Sequence, residues 1–192
     1  NSFEYLDLIA LVALFLFFVW VCSKQKHISI SAIFVSVLLA VMYVFAAFYD
    51  RLMSDCDYSA RADYLLGLFS AYSHKPKLLL DLCCGTGSLS GELAKSGAEV
   101  LAVDMREGML DKAVGKAREA GIDMLCLCQD ASELDLYGTV DGAVCTLDSI
   151  NHIVDDGDLQ RVFNRVSLFL EPDCLFIFDV NTEYKHENIL GD

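Results

Sequence analysis

The chain has 192 residues and a net charge of −14, which leaves room for one ordinary domain of about 150 residues and an appendage. Residues 1–41 hold only Glu4, Asp7, Lys24 and Lys26 as charges, so the whole acidic excess falls on residues 42–192. Such a domain repels a phosphate backbone, which argues against a nucleic-acid ligand and turns attention to small molecules or proteins. Of the eight cysteines, Cys83, Cys84, Cys126, Cys128, Cys145 and Cys174 fall in or beside apolar, strand-like runs, where reduced, buried thiols are expected rather than a disulfide scaffold. Neither Cys83-Cys84 nor Cys126-x-Cys128 has the spacing or the second pair of a zinc site, so no metal is expected.

The front of the chain is apolar. Leu8 to Cys22 has no polar residue and, with Tyr5 and Leu6, approaches the roughly 20 residues that a bilayer requires. Ile28 to Tyr49 is a second uncharged run, relieved by Ser29, Ser31 and Ser36, and "SKQKH" connects the two. The direct reading is a transmembrane hairpin with Trp20 and Tyr43 at the interfaces, so residues 1–49 are a candidate membrane anchor. A cleaved signal peptide fits less well, because no basic segment precedes the first run and a second run follows it. Lys24 and Lys26 favour a cytoplasmic hairpin loop, which would put the following domain on the far side. Met42 opens "MYVFAAFYDRLMSDCDY", which reads as the start of a separate domain with its own first helix, so residues 1–41 are taken as an appended helical segment. A chain beginning with Asn is expected to be a piece of something longer at this end.

From Lys77 onward short apolar runs alternate with helical patterns, the order of a doubly wound parallel α/β sheet. Strands are predicted at Leu78 to Leu82, Val100 to Val103, Met124 to Cys128, Gly142 to Leu147 and Cys174 to Val180. Helices are predicted at Ser88 to Lys95, ending at Gly97, and at Arg106 to Ala120, ending at Gly121. A third, Asp155 to Leu170, gathers Leu159, Val162, Phe163, Val166, Phe169 and Leu170 on one face before Pro172. The fifth strand, "CLFIFDV", is left at the sheet edge, so the domain of residues 42–192 is expected to continue past Asp192.

In this architecture ligands bind beyond the carboxyl ends of the strands, where strand order reverses. Asp81, Gly85 and Gly87 fall there, in "LLLDLCCGTGSLSGELAKSG", which runs from the first strand through a glycine turn into a helix. The glycines permit a sharp turn with backbone N–H groups near a ligand, at the positive end of the following helix. No Gly-Lys-Ser/Thr follows, which excludes a Walker phosphate loop, and Ser90 stands where a dinucleotide fingerprint has its third glycine. Asp81, four residues ahead of the first glycine, would repel a pyrophosphate and suits a cationic ligand.

Together with "VLAVDMREGMLDKA", this stretch resembles the glycine motif and second-strand acid of class I S-adenosylmethionine (SAM)-dependent methyltransferases. The resemblance covers residues 42–192 and implies a Rossmann-like methyltransferase sheet that is C-terminally truncated, without the family's sixth and seventh strands. "FYDRLMSDCDY", "DSINHI" and "DVNTEYK" further resemble a bacterial small-methyltransferase subgroup of undefined substrate. Cys83-Cys84 departs from the family's more usual Ala-Cys or Gly-Cys but keeps a small residue. The implied cofactor is SAM. The implied roles are Asp81 toward the methionine portion, with the backbone at Cys83 and Gly85 and the turn residues Thr86 and Gly87; Asp104 on the ribose hydroxyls; Met105 and Met109 about the adenine; and Asp130 with Ala131 at its amino edge. Asp148 would lie on the sulfonium side, and Tyr49 and Tyr58, on one leading helical segment, would close over the cofactor. A cytosolic cofactor pool places the catalytic domain in the cytoplasm, against the weak topological signal of the two lysines.

Each role has a plainer rival. Asp104 also suits a helix N-cap before "REGML", Asp130 the start of a turn, and Asp148, Asn151 and His152 an ordinary loop. Asp55 and Asp57 read as solvated charges rather than metal ligands. The expected reaction is methyl transfer to an unidentified small-molecule or protein acceptor, with Asp148 and His152 as candidate bases where the acceptor must lose a proton. A nicotinamide-dependent oxidoreductase and a non-catalytic cofactor-binding module are the alternatives.

Overall fold

A computed structural model describes residue 20, residues 45–46 and residues 48–188, with the side chain of His186 left aside. The chain divides into two units, Asn1–Tyr49 and Asp50–Asp192, and the second carries the α/β fold. The predicted membrane hairpin lies largely outside the described residues. Among those that are described, no helix is long and apolar enough to cross a membrane.

The second unit runs α1 (Tyr58–Ala71), β1 (Leu78–Leu82), α2 (Ser88–Lys95), β2 (Glu99–Asp104), α3 (Glu107–Ala120), β3 (Met124–Cys128), β4 (Gly142–Cys145), α4 (Asp156–Phe169), β5 (Phe176–Phe178) and α5 (Glu183–Asn188). The five strands pair in parallel in the order β3-β2-β1-β4-β5. The chain winds outward from β1 to β3, then crosses back to β4, so the order reverses between β1 and β4. That junction is the topological switch point, and in sheets of this kind ligands bind beyond the carboxyl ends of the strands there.

The central strands are near-continuous apolar runs because helices cover both faces of the sheet. One face packs Leu80, Leu82, Leu101, Val103, Ala143 and Cys145 against Val162 and Val166 of α4. The other packs Leu79, Val100 and Val144 against Leu65 and Phe69 of α1 and Leu89 and Leu93 of α2. Alternate residues of each strand thus serve opposite layers, as the pleat requires.

The helices stop where their end residues dictate. Asp57 caps α1, its Oδ1 accepting from Ala60 N–H at 2.9 Å, so this residue is a cap as well as a solvated charge. Gly121 takes φ +66° at the end of α3. Asp155 and Leu170 flank α4 as caps rather than belonging to it, and Arg106 likewise precedes α3.

Two strands are shorter than predicted. β4 ends at Cys145 because Leu147 and Asp148 both turn left-handed, at φ +62° and +71°. β5 is reduced to three residues at the sheet edge, where Phe176 and Phe178 pack their rings with Phe163 of α4 at centroid distances of 5.8 and 5.2 Å. Residues 50–52 are helical and turn at 53–55, so Tyr58 opens a new helix, contrary to the single leading helical segment predicted for Tyr49 and Tyr58.

The cysteines depart from the expected burial. All seven described are free thiols, but only Cys145 is buried, Cys128 is exposed and the others are intermediate. Cys128 belongs to an edge strand, so part of its surface meets no neighbouring layer.

Candidate functional site

Two acidic residues, Asp81 and Asp104, lie near the carboxyl ends of β1 and β2 beside the switch point. Asp81 is the fourth residue of β1 and is buried, at 2% exposure. Its carboxyl turns inward, where Ser90 Oγ–H of α2 donates to Oδ2 at 2.5 Å. Burial pushes this carboxyl up to about 7, the Ser90 hydrogen bond pulls it down, and the nearby Asp104 charge pushes it up again. Asp81 therefore sits beneath the turn as a buried carboxyl bonded to Ser90 rather than as an exposed ligand atom.

The sign of that shift fixes a stability profile. A carboxyl raised from 3.8 to about 7 binds its proton more tightly in the folded state, so its stabilising contribution is complete below 3.8 and is lost as the pH climbs through 7. Thermal midpoints of the wild type and of Asp81→Asn, measured from pH 4 to 8, should diverge in favour of the variant as the pH rises. Parallel curves would show that the buried carboxyl does not titrate in this range.

Asp104 ends β2 beside the glycine turn. Its Oδ2 accepts Gly85 N–H at 2.9 Å and its Oδ1 accepts Arg106 N–H at 2.8 Å. Arg106 is the N-cap of α3, so Asp104 does not take its plainer rival role as helix cap but braces the glycine turn to the start of the next element. An ionised carboxylate offers about four acceptor positions, and two remain after these bonds. Two free positions on one rigid carboxylate are what a pair of ribose hydroxyls needs.

The two glycines differ in purpose. Gly85 takes φ +56°, and a Cβ built on it meets nothing within 4 Å, so its backbone borders open space. Gly87 takes φ +70°, and a Cβ there would lie 2.6 Å from Ala113 Cβ and 3.1 Å from Ala113 Cα. Gly87 therefore serves the close approach of α3, a packing role the sequence reading had assigned to ligand binding. Cys83 also takes a positive φ, +60°. Burial, with the Asp81 and Asp104 charges, pushes the Cys84 thiol far up, which makes it a poor nucleophile at neutral pH.

Thr86 is 2% exposed, its Oγ1–H donating to Asp50 Oδ1 at 2.6 Å. Lys116 Nζ of α3 reaches Asp50 Oδ2 at 2.6 Å, Thr86 Oγ1 at 3.0 Å and Ser88 Oγ at 2.7 Å. Burial raises the Asp50 carboxyl but the Lys116 and Thr86 hydrogen bonds and the lysine charge outweigh it, and the group titrates below its ordinary value. This cluster ties the segment ahead of α1 to the glycine turn and to α3. Both charged partners are more than a third exposed, so breaking the pair by Lys116→Met should cost under about 1 kcal/mol. A double-mutant cycle with Asp50→Asn checks this: coupling above that range would make the cluster a main support of the turn.

The remaining predicted residues are dispersed. Met105 is 62% exposed at the end of β2, whereas Met109 is 4% exposed on the buried side of α3 and presents almost no surface to a ligand. Asp130 begins a short helical turn at Ala131–Glu133, its Oδ1 accepting from Ser132 N–H and Oγ–H at 2.8 Å each. Ala131 packs against the core beside it. Tyr58 lines a hollow of about 310 Å³ with Gly87, Ser88, Lys95 and Lys116.

Past β4, Asp148 lines a cleft of about 360 Å³ with Met53, Arg61, Asp179, Asn181 and Lys185. His152 is 80% exposed, and its Nε2 lies 3.9 Å from Asp148 Oδ2, too far for a hydrogen bond. The sequence reading missed Asp50, Ser90, Lys116 and Asp179. Asp179 alone had a visible signal, as an acid at the carboxyl end of an apolar strand run, the position Asp104 occupies on β2.

Comparison with known proteins agrees with this geometry. The family described as "Methyltransferase domain" matches residues 79–173. A protein of Geobacillus sp. (strain WCH70) that bears a provisional methyltransferase name is 33% identical over 149 residues, spanning 77% of this chain and 60% of the relative. The crystal structure of an S-adenosylmethionine-dependent methyltransferase from Clostridium acetobutylicum ATCC 824 superposes with a TM-score of 0.69 at 37% identity, covering 76% of this chain and 60% of that one. Magnesium protoporphyrin IX methyltransferase from Synechocystis PCC 6803, solved with bound SAM, aligns at a TM-score of 0.53 and 26% identity over 70% of this chain and 67% of its own. The chain thus spans about 60% of the length of the first two proteins it matches. Sheet order, glycine turn, second-strand acid and these likenesses agree in making residues 79–173 a methyltransferase domain with the fold of the class I S-adenosylmethionine-dependent methyltransferases.

Proposed function

We propose that the protein transfers a methyl group from SAM to an acceptor that enters at the carboxyl ends of β4 and β5. The observation that carries this reading is the pairing of Asp104, with two unused acceptor positions, and Gly85, with open space beside its backbone. Ser90 stands where a dinucleotide fingerprint has its third glycine, which fits SAM better than a nicotinamide dinucleotide.

Bound SAM supplies an electrophilic methyl carbon on a sulfonium, so the chain's task is alignment and exclusion of water. Asp104 orients the ribose and fixes the glycine turn with the same carboxylate. Asp148, in the cleft, is the better placed proton acceptor for an amine or hydroxyl, because His152 stands largely in solvent. The acidic excess makes a small molecule or a protein a better acceptor than a nucleic acid. A cytoplasmic setting follows from where the cofactor is made and used.

Release of S-adenosylhomocysteine, measured against a panel of small amines, phenols and carbon acids, tests the reading. At least one class should raise release above the rate without acceptor. Tight cofactor binding with a flat response across the panel would favour a non-catalytic cofactor-binding module.

A further inference from the structure

The Leu147–Asp148 turn holds consecutive non-glycine residues in the left-handed region, at φ +62° and +71°. A leucine there is strained, and such strain persists only where surrounding bonds impose it. Here the imposing group is one carboxylate. Asp179, just past β5, accepts Leu147 N–H on Oδ2 and Asp148 N–H on Oδ1, both at 2.9 Å. Arg61 of α1 stands behind it, with Nη1 at 3.6 Å from Oδ2.

The same segment grips the turn a second time through side chains. Asn181 Nδ2–H donates to Asp148 Oδ1, and Lys185 Nζ–H donates to Asn181 Oδ1. All of these residues line the 360 Å³ cleft. The backbone fork thus sets where the Asp148 side chain leaves the chain, and the Asn181–Lys185 relay sets its direction.

We propose that Asp179 is the positioning residue of the acceptor side: it acts through Leu147 and Asp148, holding the strained turn that presents the Asp148 carboxylate to the transferring methyl group. The proposal rests on the methyltransferase reading above. It assigns Asp179 no contact with the cofactor's ribose or adenine, so removing its carboxylate changes the approach to the methyl group and leaves the cofactor cradle in place.

SAM and S-adenosylhomocysteine differ only by the methyl group and its charge, so amide resonances beside the transferring group should separate most between the two complexes. The test is to record backbone amide spectra of the full chain with each nucleoside, for the wild type, Asp179→Ala, Asp179→Asn and Leu147→Gly/Asp179→Ala, with affinities by calorimetry. In the wild type the Asp148 amide should separate between the complexes. In Asp179→Ala that separation should vanish while affinity for S-adenosylhomocysteine stays within about twofold, as for sites without shared partners. Asp179→Asn, with one acceptor oxygen, should fall between. Glycine at 147 takes a positive φ without strain, so the double variant should regain the separation.

Unchanged spectra in both single variants would overturn the proposal. So would loss of S-adenosylhomocysteine binding in folded Asp179→Ala, which would place the residue in the cofactor cradle instead. Failure of the wild type to bind either nucleoside would instead refute the methyltransferase reading, a separate and recognisable result.

Discussion

Asp104→Asn should weaken SAM binding about tenfold or more, because a hydrogen bond to a charged group is worth about 1.5–3 kcal/mol and each 1.4 kcal/mol is a factor of ten. The substitution acts twice. It removes charge from the two acceptor positions left for the ribose, and it replaces one of the oxygens now accepting Gly85 N–H and Arg106 N–H with an amide that opposes the donor. Thermal unfolding separates the two effects: the loss of affinity should greatly exceed any loss of stability. Affinity equal to wild type would leave Asp104 as a structural brace only and remove the ribose assignment.

Gly87→Ala should cost about 3 kcal/mol of stability, from a left-handed backbone penalty of roughly 1–2 kcal/mol and an overpacking term of similar size. The neighbour at 2.6 Å is the Cβ of a helical alanine with its Cα close behind, which cannot rotate away. For a domain of this size that loss lowers the melting midpoint by about 10 °C. Gly85→Ala makes the contrast, since its backbone is also left-handed but nothing lies within 4 Å of the added carbon. It should lose only about 1 kcal/mol of stability and should weaken SAM binding instead. Equal melting points for the two variants would refute the division of labour between the glycines.

The sheet was legible in the sequence because its signals are local. Apolar runs of strand length, Gly97 and Gly121 after the helices, and the aspartate, glycine and serine of the turn each constrain a few residues on their own. What sequence reading missed depends on contacts between distant elements. Thr86 looked like a turn residue beside the ligand, but its hydroxyl is claimed by Asp50, which is 36 positions earlier. Met109 looked available to adenine, but the helix face that carries it turns into the core with Leu110 and Ala113. Asp179 braces Leu147 across 32 positions, and no periodicity encodes that pairing. Strand ends erred for the same reason: β4 stops where Asp179 can hold a left-handed pair, a condition set by another strand.

Asp104 and Asp130 show how plain and functional readings coexist. Asp130 spends one oxygen on the turn it begins, as its bland reading required. Asp104 spends one position on each side and keeps two, so bracing the loop is what orients the remaining acceptors. A carboxylate fixed by two backbone N–H groups loses little further freedom when it meets a ligand, which is the advantage of building the cradle from a structural brace.

The most direct measurement is a calorimetric titration of the full chain with SAM, S-adenosylhomocysteine and NAD in parallel. The account predicts saturable binding of both sulfur nucleosides, competition between them, and no binding of NAD. Binding of NAD alone, or of none of the three by a protein shown to be folded, would contradict it.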